Sequence, residues 1–247
     1  MEKVVIFAVS DIHGHFSLLK EALEKAGFDD GNANHLLVCC GDCFDRGNEN
    51  YEVLRFFERC RHKVLLRGNH EDLLKTLLLT GKVLPHHVIN GSMQTLTDFF
   101  GSYSIDPANG TIDFSGKTRT VDRVCCFIDE ALDYFETDRY VFVHGWLPKG
   151  YSSGSRLSDY SADEWSEARW IKWTEQYAGV PPIKGKTLVC GHMPTFFADK
   201  FDGRRQRSCA DIFYGNGIIA IDAGTFDSKQ VNVLVIEDRM SMCNPDA

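Results

Sequence analysis

No long apolar run occurs in the 247 residues; none approaches the roughly 18 consecutive apolar residues of a membrane helix. The first apolar run, residues 4 to 9, is too short for the core of a secretory signal and leads straight into Ser10-Asp11. A cytoplasmic protein without a membrane partner is therefore expected. A basic excess is missing as well. The net charge of −8 argues against nucleic acid as a partner. It leaves room for an anionic substrate, because a local metal cluster outweighs a diffuse negative surface. Internal repeats and low-complexity tracts are absent. Tyr214-Gly-Asn-Gly217 reads as a hairpin turn rather than a dinucleotide fingerprint. The stretch Asp29-Asp-Gly-Asn32 starts like a calcium loop, but no acidic residue closes it.

What is present is ordinary in bulk. With 43% hydrophobic and 25% charged residues, the chain can bury the core of one large domain or of two small ones. Nine cysteines are an odd count, and Cys39, Cys40, Cys125, Cys126 and Cys190 lie inside apolar runs. They read as buried free thiols of a reducing compartment, not as a zinc ribbon or a thioredoxin-type pair.

The order of elements carries more. VVIFAVS is a β-branched run ending at Asp11-Ile-His-Gly14, and Phe16, Leu19, Leu23 and Ala26 then recur at helical spacing up to Gly27. LLVCC is a second strand, residues 51 to 60 a second helix, and KVLLRGNHE a third strand. Strand, helix, strand, helix, strand at this length is a pair of βαβ units with parallel strands and right-handed crossovers. Residues 81 to 126 lose the rhythm apart from a helix near 93 to 100, and read as an insertion or cap beside the strand ends. Farther on, RYVFV ends at His144-Gly145, KTLVC at Gly191-His192 and GIIAI at Asp222-Ala-Gly-Thr225, with VNVLVIE as a last strand. Residues 162 to 177 read as one amphipathic helix carrying Trp165, Trp170 and Trp173.

Five of these strands end in Asp, His or Asn beside glycine. Gathered at one sheet edge they bring together Asp11, His13, Asp42, Asn69, His144 and His192. One histidine at a strand end is usually structural; three, matched by acids at other ends, point to a metal centre. Carboxylate, amide and imidazole without thiolate suit Mn²⁺, Fe or Zn²⁺ better than copper. Six ligands exceed what one catalytic metal with open positions needs and fit two metals sharing a carboxylate.

In these blocks the chain resembles the phosphoprotein phosphatase branch of the binuclear metallophosphoesterases. Asp11-Ile-His-Gly14, Gly41-Asp-Cys-Phe-Asp-Arg-Gly47 and Leu66-Arg-Gly-Asn-His-Glu71 stand in order, followed by Phe142-Val-His-Gly145, Val189-Cys-Gly-His192 and Ile221-Asp-Ala-Gly224. The resemblance covers most of the chain outside residues 81 to 126 and 150 to 165. It is similar above all to small bacterial members, which include Ser/Thr phosphatases and dinucleoside-tetraphosphate hydrolases. It implies one α/β sandwich domain over residues 1 to 247, with the metal site at the C-terminal ends of the strands. It also implies two divalent ions, Mn²⁺ first and Fe or Zn²⁺ as alternatives. Asp11 and His13 would hold the first ion, Asp42 would bridge, and Asn69, His144 and His192 would complete the second. His70 would be the general acid, oriented by Asp45. Arg46, Arg67 and Asn69 would grip the phosphate, with Arg169 as the late cation and Lys172 or Arg156 as alternatives. Asp222 would support the site from behind.

The implied reaction is in-line attack of a metal-activated water on phosphorus, with a phosphorylated protein or peptide as substrate. Serine and threonine esters come first and dual specificity is within range. A dinucleoside polyphosphate is the alternative substrate, and a non-catalytic scaffold a distant third reading. One departure from the family pattern is Trp146 after Gly145, which either stacks on an aromatic substrate or packs under a loop.

Overall fold

The computed structural model describes residues 3 to 152, 154 to 202 and 209 to 239. In chain order the elements begin with β1 (Lys3–Val9), α1 (Phe16–Ala26), β2 (His35–Cys39), α2 (Asn50–Arg59), β3 (Lys63–Leu65) and α3 (Asn69–Thr80). There follow α4 (Pro85–Ile89), α5 (Ser92–Phe100), the hairpin β4 (Ile105–Asp106) and β5 (Thr111–Ile112), and α6 (Thr118–Asp129). The second half holds β6 (Tyr134–Glu136), β7 (Tyr140–Val143), α7 (Ala162–Ala168), α8 (Trp173–Gln176), β8 (Thr187–Cys190) and α9 (Asp199–Asp202). It closes with β9 (Phe213–Gly215), β10 (Ile218–Ala220), α10 (Thr225–Ser228) and β11 (Leu234–Arg239).

The strands form two larger sheets, not the one sheet edge expected from the sequence. The first has the order β11-β1-β2-β3, the second β6-β7-β8-β10-β9. β1, β2 and β3 run parallel, as do β7, β8 and β10, while β11, β6 and β9 pair antiparallel at the edges. The alternation within β1 shows why two sheets form. Ile6 and Ala8 face a layer shared with Val38, Cys40, Leu66, Phe142, Val189 and Ile219 of both sheets. Phe7 and Val9 face the other way, toward Leu19, Leu23, Val53 and Phe57 of α1 and α2. Strands apolar on both faces must be covered on both, and the result is helices, sheet, sheet, helices.

Residues 81 to 126 join the first helical layer: Leu96, Phe99, Ile112, Phe114, Val121 and Val124 are buried in the same cluster as Phe44 and Phe57. The helix α6 was not legible in the sequence, and it carries Cys126 on the exposed side. Gly27 ends α1 in the left-handed conformation at φ 82°, and Asn216-Gly217 turns β9 into β10. No helix among the described residues is long and apolar enough to cross a membrane.

Candidate metal centre

The turns that leave β1, β2 and β8 are strained. Among the described residues seven non-glycines have positive φ, and six of them are Asp11, His13, Asp42, Asp45, Arg46 and His192. Such conformations cost about 1–3 kcal/mol each and persist only where the surroundings over-determine them. Here the surroundings are specific. The backbone N–H groups of Asp11, His13 and Gly14 donate to the carbonyls of Gly41, Asp42 and Cys43, at 3.1, 3.0 and 2.8 Å. The Glu71 carboxylate accepts from the backbone N–H of Asp42, Cys43 and Gly68, each at 2.8 Å. Gly68 has no room for a side chain, since a Cβ there would lie 2.1 Å from Asp42 Oδ1.

Against this frame the imidazoles are aimed by their far nitrogens. His13 Nδ1 donates to the Phe44 carbonyl at 2.9 Å and His144 Nδ1 to the Cys40 carbonyl at 2.8 Å. Each ring then turns its Nε2 toward Asp42, at 3.7 Å for His13 and 3.5 Å for His144. His144 Nε2 also lies 2.9 Å from Asn69 Oδ1. Imidazole nitrogens, an amide oxygen and carboxylate oxygens converge here, and a cation is what such a set of ligand atoms fits. Two groups of ligand atoms within 4.8 Å of one another share Asp42: His13, Asp42 and His70, and Asp42, His144 and His192. Asp11 lies alongside, its Oδ1 4.0 Å from His13 Nε2 and its Oδ2 accepting from the Ser10 hydroxyl and the His192 N–H.

The electrostatics agree. Burial alone would raise the Asp42 carboxyl, but positive charge at the imidazoles beside it, His144 first and then His70, outweighs burial and holds Asp42 below the usual range. Burial pushes Asp11 up to about 6, and burial with the Asp42 charge pushes Glu71 up to about 7. Asp222, buried beside Asp11, is raised as well. Burial, then Arg46 and His70, lower His13, so it stays neutral as a ligand must. His192 is brought down to about 4 by burial and His144.

His70 is held differently. Its Nδ1 is 2.8 Å from Asp45 Oδ2, and Asp45 in turn accepts from the Thr95 and Ser92 hydroxyls of α5 at 2.7 and 3.0 Å. Burial works against its charge, yet Asp42 and Asp45 raise His70 to about 9. Its Nε2 lies 3.3 Å from Arg46 Nη2. A charged imidazole and a guanidinium are two donors side by side, next to that set of ligand atoms. Arg46 is exposed, with Gly91 against its backbone.

Several expected residues lie elsewhere. Arg67 donates to the Ile128 carbonyl at 2.8 Å and reaches Asp129 at 3.4 Å, so its guanidinium is committed to the end of α6. Arg169 is 4% exposed, with Nη1 2.7 Å from Asp72 and Nη2 on Asp133. It forms an ion-pair clamp, because the half-buried carboxylates of Asp72 and Asp133 claim its buried guanidinium before a transient ligand can. Lys172 pairs with Glu175 at 3.2 Å, and the backbone N–H of Arg156 bonds Asp159. The sequence also places four basic residues around a glycine between Lys200 and Arg207, a pattern that reads as a solvated turn; from 203 to 208 it lies outside the described residues. Arg169→Met is expected to cost roughly 1–3 kcal/mol of stability in urea denaturation by leaving two half-buried carboxylates unpaired. Arg46→Met, on the exposed side, should cost under about 0.5 kcal/mol.

Trp146 is half-buried in the core of the second sheet, which answers the sequence question in favour of packing. The tryptophan at the site is Trp170. The expected helix over 162 to 177 stops at Ala168 and resumes at Trp173. In the gap the Trp170 carbonyl accepts the His192 ring N–H, and its ring is 48% exposed. Ser92, Thr95 and Trp170 were all missed, because each acts through contacts far away in sequence; Glu71 could have been found, standing within the Gly-Asn-His-Glu block. Cys40-Gly-Asp-Cys43 has the two-residue spacing of a redox or zinc pair. The fold separates the two: Cys43 Sγ lies 3.5 Å from Cys39 Sγ, Cys40 sits in the layer between the sheets, and all cysteines among the described residues are free.

Comparison with known proteins agrees with this geometry. The calcineurin-like phosphoesterase family profile matches residues 4 to 221. Serine/threonine-protein phosphatase 2 of Salmonella typhimurium is 24% identical over 242 residues, covering 94% of this chain and 93% of its own. A symmetrical bis(5'-nucleosyl)-tetraphosphatase of Xanthomonas axonopodis is 36% identical, but over 67 residues, 27% of this chain and 21% of its own length. A crystal structure provisionally assigned as a diadenosine tetraphosphatase superposes with a TM-score of 0.58 at 15% identity, covering 97% of this chain and 95% of the other, a likeness of fold alone. The relatives bear out the phosphoprotein phosphatase branch read from the motifs. The chain belongs to the calcineurin-like phosphoesterases, a metal-dependent family of phosphoester hydrolases.

Proposed function

We propose that this chain is a binuclear-metal phosphomonoesterase acting on phosphorylated protein or peptide. Serine and threonine esters are the expected substrates, with tyrosine esters within the range of the same site. The observation that carries this reading is the juxtaposition of convergent carboxylate, amide and imidazole ligand atoms around Asp42 with two donors, His70 and Arg46. Asp11, His13 and Asp42 would hold one divalent ion, and Asp42, Asn69, His144 and His192 the other. Mn²⁺ is the first choice for these donors. When bound, such ions supply the positive charge that makes water nucleophilic near neutral pH and draws electrons from the phosphoryl group.

The chain's own groups do the rest. Arg46 binds phosphoryl oxygens and spreads their charge. Asp45, itself held by Ser92 and Thr95, keeps the His70 ring oriented with Nε2 toward the ester. His70 gives its proton to the leaving oxygen, and its raised pKa keeps that proton available at neutral pH.

The alternative substrate, a dinucleoside polyphosphate, needs further cations for its additional phosphates. Arg67, Arg169 and Lys172 are paired with carboxylates, and Lys200 donates to the Thr174 carbonyl. That favours the monoester. A panel with Mn²⁺ tests it, comparing phosphoserine, phosphothreonine and phosphotyrosine peptides with diadenosine tetraphosphate. The best phosphopeptide should have the higher kcat/KM; a tenfold advantage for diadenosine tetraphosphate would reverse the reading.

A further inference from the structure

The carboxylate of Asp45 is buried, and its two oxygens have divided duties. Oδ2 lies 2.8 Å from His70 Nδ1 and accepts from the Ser92 hydroxyl at 3.0 Å. Oδ1, on the far side from His70, accepts from the Thr95 hydroxyl at 2.7 Å. The same Thr95 oxygen accepts the Asp45 backbone N–H at 3.0 Å. A hydroxyl both donates and accepts, so one buried side chain of α5 grips Asp45 by carboxylate and backbone together. That backbone is strained, with φ of 74° at Asp45 and 68° at Arg46. A second route leads from α5 to the same turn. Gln94 donates to Asp98 Oδ1 at 3.0 Å, and Asp98 Oδ2 accepts from Asn50 Nδ2 at 2.7 Å. Asn50 Oδ1 then accepts the Asp45 N–H at 2.9 Å. Gly91 leads into α5 so close to the turn that a Cβ there would stand 2.5 Å from the Arg46 nitrogen.

We propose that Thr95 is a positioning residue for proton transfer: by pinning Asp45 Oδ1 it fixes the plane of the carboxylate, and through Oδ2 the direction in which His70 presents its proton. The inference rests on the reading of His70 as general acid and adds a residue from outside the strand-end motifs. The physical need is plain. The last torsion of an aspartate is soft, so a carboxylate bonded to an imidazole through one oxygen alone can rotate and carry that oxygen away. With the distal oxygen held, the rotation is stopped where Oδ2 meets His70. Ser92 cannot replace this pin, because it shares Oδ2 with His70. Thr95 bonds to Asp45 and not to a candidate metal ligand, so its effect is confined to steps in which His70 acts. An ester whose leaving oxygen needs a proton depends on that alignment, and an ester with a good leaving group does not. The stretch from 81 to 126 is thereby part of the proton-transfer apparatus, and α5 is the element that carries it.

The test uses the Mn²⁺-loaded full chain and two substrates, a phosphoserine peptide and p-nitrophenyl phosphate. Thr95→Val keeps the shape and removes the hydroxyl; Thr95→Ser returns the hydroxyl. Asn50 still accepts the Asp45 N–H in the valine variant, so that donor is not stranded. Thr95→Val should lower kcat for the phosphoserine peptide by about 10–100-fold, the scale of a misaligned reacting group. The loss for p-nitrophenyl phosphate should stay below about threefold, and Thr95→Ser should restore most of the ratio. Taking the ratio removes any loss of folded enzyme, which both substrates share. In a His70→Asn background Thr95→Val should change the peptide rate by less than about twofold, since residues that act as a unit are not additive. Equal losses for both substrates, or additive losses in the double variant, overturn the proposal. Position is read directly from the low-field proton resonance of the His70 ring N–H in the diamagnetic Zn²⁺-loaded chain, assigned by its absence from His70→Asn. It should vanish by exchange in Thr95→Val and return in Thr95→Ser; an unaltered signal also overturns the proposal. Failure of the acid reading looks different, because His70→Asn itself then lowers both substrates equally. The proton signal still decides whether Thr95 holds the ring.

Discussion

His70→Asn is expected to lower kcat for an alkyl phosphomonoester by about 10²–10⁴-fold, the range in which a positioned general acid works. Asparagine keeps the backbone N–H that donates to Asp42 Oδ1 at 3.0 Å and keeps a side-chain N–H for Asp45, so the loss isolates the proton. Metal content should not change if His70 is an acid and not a ligand. That distinction matters, because His70 stands as close to Asp42 as His13 does, at 3.8 against 3.7 Å. The competing demand is on its other nitrogen, which Asp45 fixes. Activity of the wild type should fall on the alkaline side as His70, raised to about 9 by Asp42 and Asp45, gives up its proton. The variant should lack that limb. A p-nitrophenyl ester, whose leaving group needs no proton, should lose far less. Equal losses for aryl and alkyl esters, or a missing ion in the variant, would count against the acid role.

How much of this was readable beforehand follows a physical line. Strand ends were legible because each is an apolar run stopped by glycine next to a hard ligand, a signal contained in a few residues. Asp11, His13, Asp42, Asn69, His144 and His192 meet around one point for that reason. The division into two sheets was not legible, since a strand apolar on both faces looks the same whether a helix or another sheet covers it. Helix continuity over 162 to 177 failed because local periodicity cannot register a tertiary hydrogen bond. The Trp170 carbonyl is used by His192, and Arg169 is drawn toward Asp72, 97 positions away. The same blindness misassigned Arg169 and Arg67, whose charge suggested phosphate until their carboxylate and carbonyl partners were seen. Asp45 was noticed, but its orientation depends on Ser92 and Thr95, 47 and 50 residues on, inside the stretch that had no readable rhythm. That stretch is thus tied to the reacting group and not only to the rim.

The joint between the two clusters carries the largest expected effect. Asp42→Asn should reduce bound metal from two ions per chain to one or fewer, and activity with it. Asp42 Oδ1 faces His144 and Oδ2 faces His13, at 3.5 and 3.7 Å, so each oxygen serves a different cluster. An amide nitrogen in place of either oxygen would point a proton at the convergent ligand atoms. Outer partners of a metal site cost 10–100-fold in affinity or activity when removed, and a shared ligand should exceed that. Stability gives an independent reading, because an ion that binds only the folded chain stabilises it by about 2.7 kcal/mol at a concentration 100-fold above Kd. Mn²⁺ should therefore raise the wild-type melting temperature by several degrees and the variant's hardly at all. Protons compete for the same groups. Asp11 is pushed up to about 6 by burial, so wild-type metal affinity should weaken as pH falls through that value. Elemental analysis after reconstitution, with melting curves at matched Mn²⁺, decides the matter. One ion per wild-type chain at full activity, or unchanged occupancy in Asp42→Asn, would remove Asp42 from the centre of the site.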